Sequence, residues 1–165
     1  MIFVTVGTHE QPFDRLIKCI DRLAEEKIVK DEFIVQTGFG IYLPEFCEYK
    51  HFFLYSDMMR FIDDARIVIT HDGPSSFMPV IERNKIPIVV PRRKRFKEHI
   101  NDHQIDFIER FSEIWHNIII AENDSDIRNS VLYYDETVKN MPKQFVSNHS
   151  DFIRNIELFA TELMK

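Results

Sequence analysis

Short apolar runs alternate along the chain with longer stretches whose apolar residues recur three and four apart. Residues 2–6 (IFVTV) read as a buried strand, and Gly7 follows them. Over 13–26 the apolar positions are Phe13, Leu16, Ile17, Ile20, Leu23 and Ala24, which predicts a helix. Residues 33–35 predict a second strand running to Gly38 and Gly40, while 41–50 contains Pro44 and fits neither pattern. Residues 52–55 predict a third strand. Residues 58–65 predict a short helix with Met58, Phe61, Ile62 and Ala65 on one face. A fourth strand is predicted over 67–70, a helix over 75–83, and a fifth strand over 86–90, stopped by Pro91. A helix over 100–111, a sixth strand over 118–121 and a helix over 126–139 follow. In the tail, Phe152, Ile153, Ile156, Phe159, Ala160, Leu163 and Met164 share one face, predicting an amphipathic helix at about 152–164.

The strands are continuous apolar runs and do not alternate, so both of their faces are covered, as in a parallel sheet. Strands alternating with helices predict an α/β, doubly wound, Rossmann-like fold with about six mostly parallel strands. The 165 residues suit one domain, 1–165. In such folds ligands bind beyond the carboxyl ends of the strands, which directs attention to the residues after each strand.

Charge narrows the partners. Lys and Arg total 21 against 27 Asp and Glu, a net charge of −6, which argues against nucleic acid as the main partner. Cys19 and Cys47 match no zinc or redox spacing and read as reduced thiols of a cytosolic protein. No leader pattern opens the chain, and no apolar run approaches the ~20 residues of a membrane span. The expectation is a cytoplasmic protein that meets membranes only peripherally.

After the first strand stand Gly7, Thr8, His9, Glu10, Gln11 and Pro12. Gly7 permits a tight turn or close approach to the backbone, and the loop reads equally as a plain strand–helix connection. After the fourth strand, His71-Asp72-Gly73-Pro74-Ser75-Ser76 opens a helix. Backbone N–H groups, the helix dipole and two hydroxyls at that end suit a phosphate; Ser75 could equally cap its own helix. After the fifth strand, Arg92, Arg93, Lys94, Arg95 and Lys97 place five cations in six residues. Such a run could hold a diphosphate, lie on an anionic membrane, or stand as a solvated loop. Asn101, Asp102, His103 and Gln104 then offer side chains suited to sugar hydroxyls. His99 and His103, four apart, raise a zinc reading, but the H-E-x-x-H pattern and a third ligand are lacking, so no metal is expected. A metal-dependent hydrolase using His71, Asp72, His99 and His103 is the weakest alternative.

The stretches VTVGTHEQPFDRLI, HDGPSS and PIVVPRRKRFKEHINDHQ, in this order, resemble small bacterial glycosyltransferase subunits of exopolysaccharide and capsule synthesis. Those subunits are similar to the catalytic subunit of the two-part UDP-N-acetylglucosamine transferase of the dolichol pathway. Both resemble the carboxyl-terminal, donor-binding half of MurG-type enzymes, the family 28 C-terminal domain. The resemblance implies the C-terminal half of a GT-B fold. It places Gly7 and Thr8 near the diphosphate of a UDP-sugar and the backbone of Leu54 and Tyr55 at the uracil. It sets His71, Gly73, Ser75 and Ser76 around the phosphates, and Asp102, His103 and Gln104 at the sugar. It implies transfer of a hexose, with inversion and without a cofactor, to a polyprenyl-diphosphate-linked saccharide. The acceptor would be held by a membrane-anchored partner subunit at the inner face of the plasma membrane; without it the chain could pair with a second copy. His9 is the candidate base on this chain, the partner being the other possible source. One departure stands out: the family's ribose-binding glutamate, six residues after the glycine, is Pro79 here, with Glu82 further on. A non-catalytic subunit that activates a partner glycosyltransferase is the alternative.

Overall fold

The computed structural model describes residues 1–143, so the helix expected at 152–164 lies outside the described residues. Six strands form one sheet: β1 (Ile2–Thr5), β2 (Phe33–Gln36), β3 (Glu48–Lys50), β4 (Ile67–His71), β5 (Ile88–Val90) and β6 (Ile119–Ile120). Their order is β3-β2-β1-β4-β5-β6 and every pairing is parallel. Val4 of β1 sits between Val35 of β2 and Ile69 of β4. The helices are α1 (Asp14–Glu25), α2 (Tyr55–Asp64), α3 (Pro74–Ile81), α4 (His103–Trp115), α5 (Asp124–Leu132) and α6 (Tyr134–Val138), with a 3-10 turn at Lys94–Phe96.

Side-chain alternation on β1 divides the core between the two faces of the sheet. Ile2, Val4 and Val6 pack with Leu16, Ile17 and Ile20 of α1 and with Ile127, Val131, Tyr134 and Val138 of α5 and α6. Phe3 faces the other way, toward Ile62 of α2 and Val80 of α3. Beside it, Phe77 and Ile81 of α3 meet Val89 and Ile108. Burying both faces is what the continuous apolar strands required, and the expected α/β, doubly wound, Rossmann-like fold is the one observed.

The third strand differs from expectation. It is Glu48–Lys50, within the stretch that fitted no pattern, whereas Phe52–Leu54 is a connection and Tyr55 opens α2. An edge strand needs pairing on one side only, so β3 can be short, polar and half-exposed. The apolar run that looked like a strand serves a helix. The Phe53 ring lies 5.0 Å from Phe61 and 6.3 Å from Phe3, while its N–H donates to Gln36 Oε1 at 3.1 Å and not to a ladder. α4 begins at His103, not 100, because the connection before it turns through the 3-10 segment. The single helix expected over 126–139 is two, with Asn123 capping α5 by accepting from the Asp126 N–H at 3.0 Å.

Candidate functional site

β1 lies between β2 and β4, so the chain winds away in opposite directions on either side of it. The loops after β1 and β4 diverge at this switch point and leave a crevice at the carboxyl edge, where doubly wound folds take their ligands. A cavity of about 480 Å³ opens there, and Gly7, Thr8, His9, Tyr55, His71, Gly73, Ser75, Ser76 and Gln104 line it. A larger one, about 580 Å³, lies at the opposite edge beside Lys30, Asp31 and Phe33. Its Asp31 carboxylate is taken up by Arg66 and the amino terminus.

His71 organises the site. The last residue of β4, it is almost wholly buried, with its imidazole wedged between two glycines. A Cβ on Gly7 would stand 2.4 Å from His71 Nε2, and one on Gly73 2.3 Å from Cε1. Gly7 also holds φ at +73°, which disfavours any side chain. Both glycines are therefore dictated by the ring between them. The Gly73 N–H donates to Nδ1 at 2.9 Å, so the neutral ring carries its proton on Nε2. Nε2 lies 2.7 Å from Ser76 Oγ and donates to it, so the Ser76 hydroxyl, which belongs to the cavity lining, keeps its own proton for another acceptor. Burial pushes the His71 pKa down; Asp72, whose Oδ1 lies 3.6 Å from Nδ1, pulls it up. Arg92 and His99 add to the lowering. With both ring nitrogens engaged, His71 is not available to a metal, and among the described residues no three His, Cys, Asp or Glu side chains gather as a metal site.

Pro74 opens α3, whose amino-terminal turn brings Ser75 and Ser76 to the cavity. The positive end of the helix dipole thus faces the crevice. His9 stands across from it. Its Nδ1 accepts from the Gln11 N–H at 3.1 Å and its ring packs against His99 at 4.8 Å. Burial, then the charges of Arg92, His99 and His71, hold its pKa below the ordinary range. The neutral ring therefore presents an Nε2–H donor. Gln104, at the start of α4, lines the cavity with a buried Oε1 that lacks a hydrogen-bond partner.

Other expected residues lie elsewhere. Leu54 precedes α2 and is not part of the cavity wall, although Tyr55 is. Asp102 turns to its own loop, where Oδ1 accepts from the Lys94 N–H at 2.9 Å. His103 is the first residue of α4. The basic run comes apart. Arg92 is 2% exposed and donates to the carbonyls of Val6, Gln11 and Glu98, with its guanidinium 4.7 Å from the Phe13 ring centroid. It braces the loop after β1 and cannot reach a membrane. Arg93 pairs with Glu122 at 2.9 Å. None of the five cations lines the cavity.

Sequence reasoning passed over Gln36 and the methionines. Gln36 closes β2; its Nε2 donates to Thr5 Oγ1 at 3.1 Å and its Oε1 holds the Phe53 N–H, so one buried amide joins the ends of β1 and β2 to the connection before α2. A glutamine closing the apolar run FIVQ was the available signal. Met58, Met59 and Pro79 form an apolar wall, while Glu82, past the end of α3, is exposed and is not part of it.

A crevice at the switch point of a parallel sheet, with a helix amino terminus at its floor, is the arrangement of nucleotide-binding Rossmann-like domains. Residues 1–144 match the glycosyltransferase family 28 C-terminal domain, and the chain belongs to that family. Over 124 residues it is 32% identical to "UDP-N-acetylglucosamine transferase subunit ALG13" of Homo sapiens, an alignment covering 70% of this chain and 10% of that protein. The chain thus spans about a tenth of that relative's length. Its fold is similar to that of the glycotransferase of kitacinnamycin, with a TM-score of 0.51 and 12% identity over 80% of this chain and 34% of that one. The glycosyltransferase SnogD from Streptomyces nogalater aligns with a TM-score of 0.48 and 15% identity, over 86% of this chain and 39% of that one.

Proposed function

We propose that the chain is the donor-binding subunit of a two-component inverting glycosyltransferase that moves a hexose from a UDP-sugar to a polyprenyl-diphosphate-linked saccharide. A role in capsule or exopolysaccharide synthesis follows from the resemblance of its motifs. The observation that carries the reading is the His71–Ser76 pair: a serine hydroxyl held by the β4 histidine in the lining of a switch-point cavity, at the positive end of α3. Family membership and the human relative's description as a transferase subunit support it.

In this reading the acceptor hydroxyl loses its proton and attacks the anomeric carbon while UDP departs. The negative charge growing on the diphosphate is met by the α3 dipole and the Ser75 and Ser76 hydroxyls, the second of which His71 holds in place before the reaction begins. No cofactor enters the scheme. The Gln104 Oε1 accepts from a sugar hydroxyl. His9, with its proton on Nε2, donates to the substrate, so the base falls to the partner subunit. That partner supplies the second wall of the cleft and the acceptor.

A second reading has one observation in its favour. Pro79 stands where the resembled enzymes carry a ribose-binding glutamate, and the wall there is apolar. A subunit that only activates its partner would tolerate that change. Titration calorimetry with UDP separates the two. Donor binding predicts measurable affinity that Ser76→Ala weakens about tenfold, the worth of one hydrogen bond to a charged group. No heat with the wild-type chain would leave the activating role.

A further inference from the structure

The connection from β5 to α4 holds five cations in sequence, and the structure divides them into two groups. Arg92 is buried against backbone carbonyls, and Arg93 is paired with Glu122. Lys94, Arg95 and Lys97 are exposed. With them stand Phe96, 48% exposed, and Ile100, 70% exposed. The turn that carries them is held from beneath. Glu98 Oε2 accepts from the Arg93 N–H at 3.0 Å, and Asp102 Oδ1 accepts from the Lys94 N–H. The Arg15 guanidinium lies 5.1 Å from the Phe96 ring centroid. Three acidic neighbours are already engaged: Glu98 by Arg15, Glu122 by Arg93 and Asp102 by the Lys94 N–H. Three exposed cations and two exposed apolar side chains thus share this connection, with the Arg95 guanidinium 4.8 Å from the Phe96 ring centroid.

We propose that this turn is a membrane-docking surface: Lys94, Arg95 and Lys97 lie on the phosphates of an anionic bilayer, and Phe96 and Ile100 enter its interfacial layer. Charge complementarity argues for that occupant. The chain carries a net charge of −6, so an anionic surface repels it as a whole and admits it through this turn. An aromatic and an aliphatic side chain set among cations match the boundary between headgroups and acyl chains. The turn also leaves the same edge of the sheet as the cavity, since Gln104, just beyond it, lines the cavity wall. Docking here brings the cavity mouth to the bilayer, where a lipid-linked acceptor presents its hydroxyl; this last step rests on the function proposed above.

The test is flotation of the full chain with vesicles of phosphatidylcholine, alone and mixed with phosphatidylglycerol. Binding to the mixed vesicles is expected, with little to phosphatidylcholine alone and a steep decline as salt is raised. Each cation near an anionic surface is worth roughly fivefold, so K94Q/R95Q/K97Q should lower the partition coefficient about 100-fold. F96S/I100S should weaken binding to the same vesicles. Circular dichroism melts establish that each variant is folded, and Lys97→Glu, one exposed side chain, gives a minimal second variant. Absence of wild-type binding, or triple-variant binding equal to wild type, would overturn the proposal. So would variants that lose a protein partner while the wild type ignores vesicles. Vesicle binding needs neither donor nor partner, so its failure leaves the donor-site reading standing, and the converse holds.

Discussion

Between Gly7 and Gly73 the His71 imidazole has room only because neither neighbour carries a Cβ. Both glycines and the histidine were visible in the chain as loop residues after strands. Their mutual dependence was not, because it arises where β1 and β4 lie side by side, 64 residues apart at Gly7 and His71 by their numbers. The ring's burial has a measurable consequence. The unfolded chain protonates this imidazole near the ordinary 6.5, the folded chain only at lower pH. The folded state is therefore fully favoured above about pH 6.5. It loses stability as pH falls below that value, where the unfolded state binds the proton first. One histidine contributes a slope of at most about 1.4 kcal/mol per pH unit. Urea midpoints measured from pH 7.5 down to 5.5 should decline for the wild type and decline less for His71→Gln; equal slopes would refute the assignment.

At the scale of elements, the apolar runs located five of the six strands, because a strand covered on both faces has to be apolar throughout. β3 escaped that logic. As an edge strand it pairs with β2 alone, and the segment leading into it is held by Asp21 on the buried face of α1. The Asp21 carboxylate accepts from Tyr42 Oη at 2.7 Å and from the N–H groups of Glu45 and Phe46 at 3.0 and 2.8 Å. Burial pushes its pKa up, but these hydrogen bonds outweigh burial and hold it below the ordinary carboxylate range. Asp21→Ala strands two backbone donors. It should cost about 2–3 kcal/mol in urea denaturation and open the stretch 41–50 to limited proteolysis. Loss of stability without new cleavage there would show that β3 is held by other means.

At the scale of the molecule, the two-component reading proposed above makes the carboxyl edge one wall of a cleft whose other wall is the partner's. Orienting an acceptor against the donor can be worth ~7–11 kcal/mol of the barrier, and half a cleft cannot supply it. Transfer assayed with a lipid-diphosphate acceptor should be negligible for this chain alone and appear when the membrane-anchored partner is added. Full turnover by the chain alone would overturn the two-component reading. Among the described residues no helix is long and apolar enough to cross a membrane.

Hydrophobic periodicity was enough to establish the layered fold and the strands that form its centre, since burial on both faces leaves its mark on every residue of a strand. Side-chain roles at the carboxyl edge depended on contacts between segments far apart in the chain. Arg92 and Lys94 are two positions apart in one basic run. The first is buried because the carbonyls of Val6 and Gln11 converge on it from the loop after β1, and the second is exposed because nothing in that loop reaches it. Ser76 likewise reads as an ordinary helix-opening serine until the β4 histidine donates to its oxygen. Local pattern records which face of an element meets the core; the direction of a hydrogen bond is decided by whichever partner the fold brings within about 3 Å.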